Sequence, residues 1–323
     1  MYVDRGRELS IIFFLVLLGV VLAVFAPGFY NPKNASDILV NISYITIAAI
    51  GMTAVIITAQ IDISVGAILA ACSTVAGLSA KAGVPIPLVF LYSIGTGAAI
   101  GLINGLLVAY ARIPSIIVTL GTLTVIRGVI ILLTGGTWIY DLPANFRAVG
   151  TGNTLGLPNP VWLMLATLLA GAFVFSHTRW GRSLYAVGSN PAAARLAGIN
   201  VERTYVSVFV LVGALVGLAT MAFATRFTTV QSNTGQGFEF LVITAVVVGG
   251  TNIFGGSGTA FGSFLGALLV GVTGTALTFL HASAYWEQAL QGLFILLAVA
   301  LDAARRRGAL DFGWATRLFR RAA

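Results

Sequence analysis

A succession of long apolar runs, separated by short polar joints, constrains this chain more than any single motif. Ile11–Phe25, Leu88–Ala109 and Phe264–Leu280 approach or reach the ~20 apolar residues that cross a ~30 Å hydrocarbon core. Backbone amides in hydrocarbon must bond to one another, so such runs are helices. A membrane β-barrel would alternate apolar and polar residues, and these stretches do not. Charged residues make up only 9% of the chain, against roughly 25% in soluble domains. The expected fold is all-α: a polytopic integral membrane helical bundle of about ten transmembrane helices, forming one domain over residues 1–323.

The expected spans lie near 9–26, 38–58, 63–80, 87–109, 115–134, 160–177, 205–224, 239–253, 259–279 and 286–302. Joints fall at Pro27-Gly28, Pro85-Ile86-Pro87, Pro114 and Pro158-Asn159-Pro160, where proline and glycine punctuate helices. The run after Arg5 and Arg7 is long for a signal peptide, and Pro27 falls where cleavage would occur, so it reads as a retained span. Ten spans put Arg5, Arg7, Arg112, Arg179, Arg182, Arg195, Arg203 and the basic tail at about 303–323 on one side. Lys33, Lys81, Arg147 and Arg226 fall on the other side or at its edge. Such asymmetry predicts cytoplasmic termini in a multi-pass membrane protein. Interruptions around Gln60 and Asn252 predict short or broken helices sheltered by protein or water. Gly97, Gly101 and Gly105, and Gly262 with Gly266, carry the small-residue spacing that lets helices approach closely.

Several function classes drop out. The net charge of +8 sits at span ends, leaving no basic domain for nucleic acid. Cys72 is alone, and His177 and His281 lack companion ligands, so neither a metal site nor a catalytic group is expected. No phosphate loop is present, so the chain has no ATP site of that type and no cofactor of its own is expected. Asp62, Glu239, Glu287 and Asp302 all fall near span ends, which argues against an ion-coupled pump.

The interior's longest polar, arginine-bearing stretch is 181–204, within a segment of about 178–204. Asn190 suits an N-cap, Pro191 the first helical position, Ala192–Ala197 the helix, and Gly198 its left-handed end. The resulting helix has about two turns and nothing of its own to pack against. Helices this short are marginal alone, so a partner surface is expected to hold it.

Five stretches in order carry a resemblance over nearly the whole chain. They are Ile61-Asp62-Ile63-Ser64-Val65-Gly66; Ile103-Asn104-Gly105; Ile113-Pro114-Ser115 with Thr119–Thr122 and Arg127-Gly128; Gly181-Arg182 with Gly188–Ala194; and Gly249–Gly258. In these the chain resembles the permease subunits of ribose-type sugar ABC importers. The resemblance implies transport powered by a separate cytoplasmic ATP-binding subunit, which binds the ATP. It further implies a periplasmic or extracellular solute-binding protein and a second permease copy or paralogue in the lipid membrane. It assigns coupling to Gly188, Asn190, Pro191, Ala193, Arg195 and Gly198. Ala59-Gln60 departs from the family, which usually has a glycine pair there.

Asp62, Ser64, Asn104 and Arg127 are the candidates for transport path or gate. Asp62 suits a cap for the third span better than a solute contact. Asn104 suits an interhelical hydrogen bond. Arg127 lies ~18 Å along its span and must find protein or a cavity, with Thr119, Thr122 and Thr124 as expected neighbours. Trp138, Tyr140, Tyr285 and Trp286 read as an interfacial aromatic belt. The Thr134–Trp138 stretch with Leu142-Pro143 looks like permeases for autoinducer-2; branched-chain amino-acid permeases are more distant. A stand-alone carrier or channel is the alternative of another class.

Overall fold

The computed structural model describes residues 5–26, 28–280, 282–283 and 285–306. The expected basic tail lies outside the described residues from 307 onward; residues 303–306 belong to the last helix. The elements are α1 (Arg5–Phe25), α2 (Pro32–Ile57), α3 (Val65–Lys81), α4 (Ile86–Ala109), α5 (Ser115–Thr134), α6 (Ala144–Thr151), β1 (Asn153–Thr154), β2 (Leu157–Pro158), α7 (Asn159–His177), α8 (Arg179–Ser189), α9 (Pro191–Leu196), α10 (Val201–Ala224), α11 (Phe238–Val248), α12 (Ala260–Phe279) and α13 (Tyr285–Arg306). The strands pair antiparallel, Asn153 with Pro158 and Thr154 with Leu157.

Among the described residues six helices, α2, α4, α5, α7, α10 and α12, are long and apolar enough to cross a membrane. The apolar part of α1, together with α3 and α11, is shorter. Each expected span falls on a helix, but the span expected at 239–253 is cut to the 11 residues of α11. That is about 16 Å of helix, half a hydrocarbon core. Gly249 and Gly250 end it, and residues 251–259 continue as a non-helical loop.

The core is centred on α2, whose residues from Ile45 to Ile57 are buried almost without a break. It is surrounded by α7, α10, α11 and α12. Against it lies the tightest helix pair, α4 with α10. Gly97 faces the Gly213 carbonyl, Gly101 that of Phe209, and Gly105 the Val206 backbone. Ser93 Oγ donates to the Gly217 carbonyl across the same seam at 2.7 Å. With no hydrophobic drive between helices in lipid, such backbone approach supplies the packing. The outer faces of α4, α5 and α7 carry exposed Leu91, Ile117, Leu132, Leu133 and Leu169, a surface suited to acyl chains. At one end, Ala76, Ala80, Ile139, Leu142, Phe146 and Val230 form a separate cluster under α6. At the other end stand α8 and α9.

Candidate functional site

The polar stretch 178–204 folds into a platform that carries a small helix. Thr178 caps α8, its hydroxyl accepting from Gly181 N at 2.9 Å. Leu184 and Val187, one turn apart, are buried beneath α8. Trp180 Nε1 donates to Ser207 Oγ on α10 at 2.8 Å. The Tyr185 hydroxyl donates to the Gly258 carbonyl at 2.9 Å, and burial pushes this phenol up to about 12.

Asn190 then caps α9, its side chain accepting from Ala193 N at 3.0 Å. Gly198, at φ +80°, ends it, and the Ile199 N–H donates to the Ala194 carbonyl at 3.0 Å. One expectation is corrected here. Far from lacking support within its own chain, α9 buries Ala194 against Val187 and Val201, with Ala186, Ile199 and Tyr205 around them. Arg195 pairs with Glu202 on α10. The opposite face is bare: Pro191, Ala192, Ala193 and Arg195 are exposed, and Leu196 is 92% exposed.

Gly188 ties this platform to the bundle. A Cβ there would collide with the Ile57 carbonyl oxygen at the end of α2 and with Gly256 N. That same carbonyl accepts from Gly256 N at 2.8 Å. Three breaks therefore meet at one point: the α8–α9 corner, the turn after α2 and the 249–259 loop.

Five residues beyond Ile57 a buried polar chain begins. Asp62 Oδ1 accepts from Ser64 N at 2.8 Å and from Ser64 Oγ. The expected cap is corrected here: Ser64, not Asp62, is the N-cap residue of α3 and makes no side-chain capping bond, and Asp62 instead closes a turn on Ser64 N, two positions on, just ahead of the helix. Asn104 Nδ2 on α4 donates to Ser64 Oγ at 2.9 Å, and Thr122 Oγ1 on α5 donates to Asn104 Oδ1 at 2.6 Å. Asp62, Ser64 and Asn104 are fully buried, and Asp62 Oδ2 has no hydrogen-bond partner. The chain thus joins the start of α3 to α4 and α5.

Arg127 does not join this chain, nor do the neighbouring threonines serve it. Thr119 and Thr124 bond backward to their own helix. Arg127 Nη1 instead donates to the Thr234 carbonyl at 2.6 Å, in the segment ahead of α11. That segment, with the buried Glu239 behind it, was missed as a candidate. Its signal was the polar run Gln231-Ser232-Asn233-Thr234-Gly235-Gln236 between two apolar stretches. Helix α8 was missed too, because its apolar spacing is only one turn long. Among the described residues no group of three His, Cys, Asp or Glu side chains is placed to hold a metal ion.

A bundle with several helices long and apolar enough to cross a membrane, and a small two-helix platform at one end, defines a multi-pass membrane protein. Residues 34–299 match the family described as branched-chain amino acid transport system / permease component. The chain is 38% identical over 300 residues to the ribose import permease protein of Escherichia coli strain K12, covering 92% of this chain and 93% of that one. It is 38% identical over 303 residues to the autoinducer 2 import system permease protein of Klebsiella pneumoniae, covering 94% and 88%. The ribose import permease of Haemophilus influenzae is 37% identical over 292 residues, covering 89% and 90%. No solved structure matches the chain. The chain belongs to this family of transport permeases, and it is a permease and not an enzyme.

Proposed function

We propose that this chain is the transmembrane subunit of an ATP-driven importer for a sugar or sugar-like solute in the bacterial inner membrane, with both termini cytoplasmic. The names of its relatives, ribose and autoinducer 2 import permeases, support the solute class and the importer. In this reading a separate ATPase subunit binds the nucleotide and grips α9. A soluble binding protein delivers solute at the opposite end, over 135–159. A second permease, a copy or a paralogue, completes the path.

The observation that carries the coupling role is Leu196, exposed on a helix sealed on its inner face by Ala194, Val187 and Val201. ATP binding and hydrolysis bias the partner between two states, and alternating access follows from its differential grip. Gly188, Asn190, Pro191, Ala193, Arg195 and Gly198 build that contact. Asp62, Ser64 and Asn104 hold the start of α3, where motion from the Ile57–Gly256 junction arrives.

The test is purification of the complex in mild detergent, followed by reconstitution. A co-purifying ATPase and ATP-dependent uptake are expected. Ala193→Glu and Leu196→Asp, both on the open face, are expected to abolish uptake at normal membrane levels of the chain. Uptake without ATP, or unaffected by both variants, replaces this reading with a stand-alone carrier or channel.

A further inference from the structure

Between α10 and α11 the chain turns back into the bundle. Val230 pairs with Ile139 near the α6 end, and its side chain lies against Gly77 on α3. Gly235, a few residues on, lies against Gly66, at the start of α3. Gly77 and Gly66 are three turns apart, about 16 Å along the helix. Segment 231–237 therefore descends beside α3 before α11 completes the crossing, and irregular backbone at such depth requires a cavity or protein cover.

The cavity is there. A space of about 800 Å³ opens between this segment, α2 and α13, within the ~300–1,000 Å³ typical of small-molecule sites. A second space of about 340 Å³ adjoins it, sharing Phe223, Gly235, Gln236 and Gln288. Asn233, Gln236 and Gln288 are exposed into these spaces. Tyr44 packs between Phe223 and Phe238, with ring centroids 5.0 and 5.7 Å away. Glu239 lines the wall at 8% exposure with its Oε2 unpartnered. Arg127 lies within electrostatic range of Glu239, and Arg226 and Glu287 both act on Tyr44. Among the described residues the lining itself carries two carboxylates, Glu239 and Glu287, and no guanidinium group.

Amides offer donors and acceptors together, carboxylates accept from hydroxyl groups, and aromatic faces cover C–H groups. We infer that this vestibule is a binding station for one neutral polyhydroxylated molecule within the permease, so that the membrane subunit itself selects solute. The inference deepens the importer reading and rests on it for the solute class. Asn233, Gln236 and Gln288 make the hydroxyl contacts, while the Tyr44–Phe223–Phe238 wall takes the ring's apolar face.

The experiment uses the full chain in proteoliposomes, with Asn233→Cys, Gln236→Cys and Gln288→Cys made singly. The native Cys72 is fully buried and gives little background. Each cysteine is reacted with a charged, membrane-impermeant thiol reagent, with D-ribose, D-xylose, D-fructose, L-lysine or L-aspartate present. At least one neutral sugar is expected to slow labelling at two or more positions, about fivefold at a concentration near four times its Kd, while the charged solutes do not. Three results overturn the inference: no labelling at any position, labelling that no sugar slows, or equal protection by the amino acids. Three separate reporters guard against one that fails to insert. Protection requires neither ATPase nor binding protein, so loss of ATP-driven uptake would sink the importer reading and leave this outcome independent.

Discussion

Ala59 occupies a position that glycine ordinarily takes. Its N–H donates to the Ile56 carbonyl at 2.9 Å, and the Gln60 N–H to Val55 at 3.2 Å. These are the paired bonds that close a helix through a left-handed residue. Ala59 indeed sits at φ +59°, a conformation costing an L-residue roughly 1–2 kcal/mol. Glycine would adopt this conformation without strain, and this chain carries it at Ala59. Ala59→Gly is expected to stabilise the fold by up to about 1 kcal/mol once glycine's greater unfolded freedom is subtracted, and so to raise the thermal midpoint in detergent; a lower midpoint would contradict the account. Asp62 presents a different choice. Asp62→Ala orphans the Ser64 amide and hydroxyl, at about 1–3 kcal/mol for each buried group, so less folded protein should reach the membrane. Asp62→Asn keeps one acceptor and should restore it. Normal levels of the alanine variant with transport lost would make Asp62 a pathway group instead of a structural one.

At the scale of elements, α4 and α10 depend on the absence of side chains. Gly101→Val would drive a branched side chain into the Phe209 carbonyl and the Val210 backbone. Overpacking of this kind costs typically 1–3 kcal/mol, and more where backbone cannot retreat. Folded, detergent-extractable protein should fall sharply. Gly95→Ala, on the same helix but facing open space, should be silent; equal loss from both would show that the seam is not the cause. The glycine spacing that marks this seam was readable in advance, because small residues three and four apart align on one helical face. The length of α11 was readable only in part. The interruption around Asn252 marked a break, and Gly250 at φ +91°, with Gly249 close against the Gly262 carbonyl, places the end of the helix at Val248.

Across the whole molecule, what was legible and what was not divide along a physical line. Hydrocarbon thickness and obligatory backbone bonding act on local composition, so the sequence by itself determined an all-α membrane bundle and the approximate place of each span. Capping chemistry is equally local. Asn190, Pro191 and Gly198 announced α9 because the groups that start and stop a helix lie within a few residues of it. Packing partners are non-local, and these the tertiary structure alone decided. It braced α9 on Val187 and Val201, where sequence reading had left it bare. It joined Asp62 and Ser64 to Asn104 and sent Arg127 to Thr234, more than a hundred residues along the chain. It also folded the polar run 231–236 down beside α3 to face α13. A polar residue in an apolar chain declares that it needs a partner, but which partner it finds depends on how helices far apart in sequence cross.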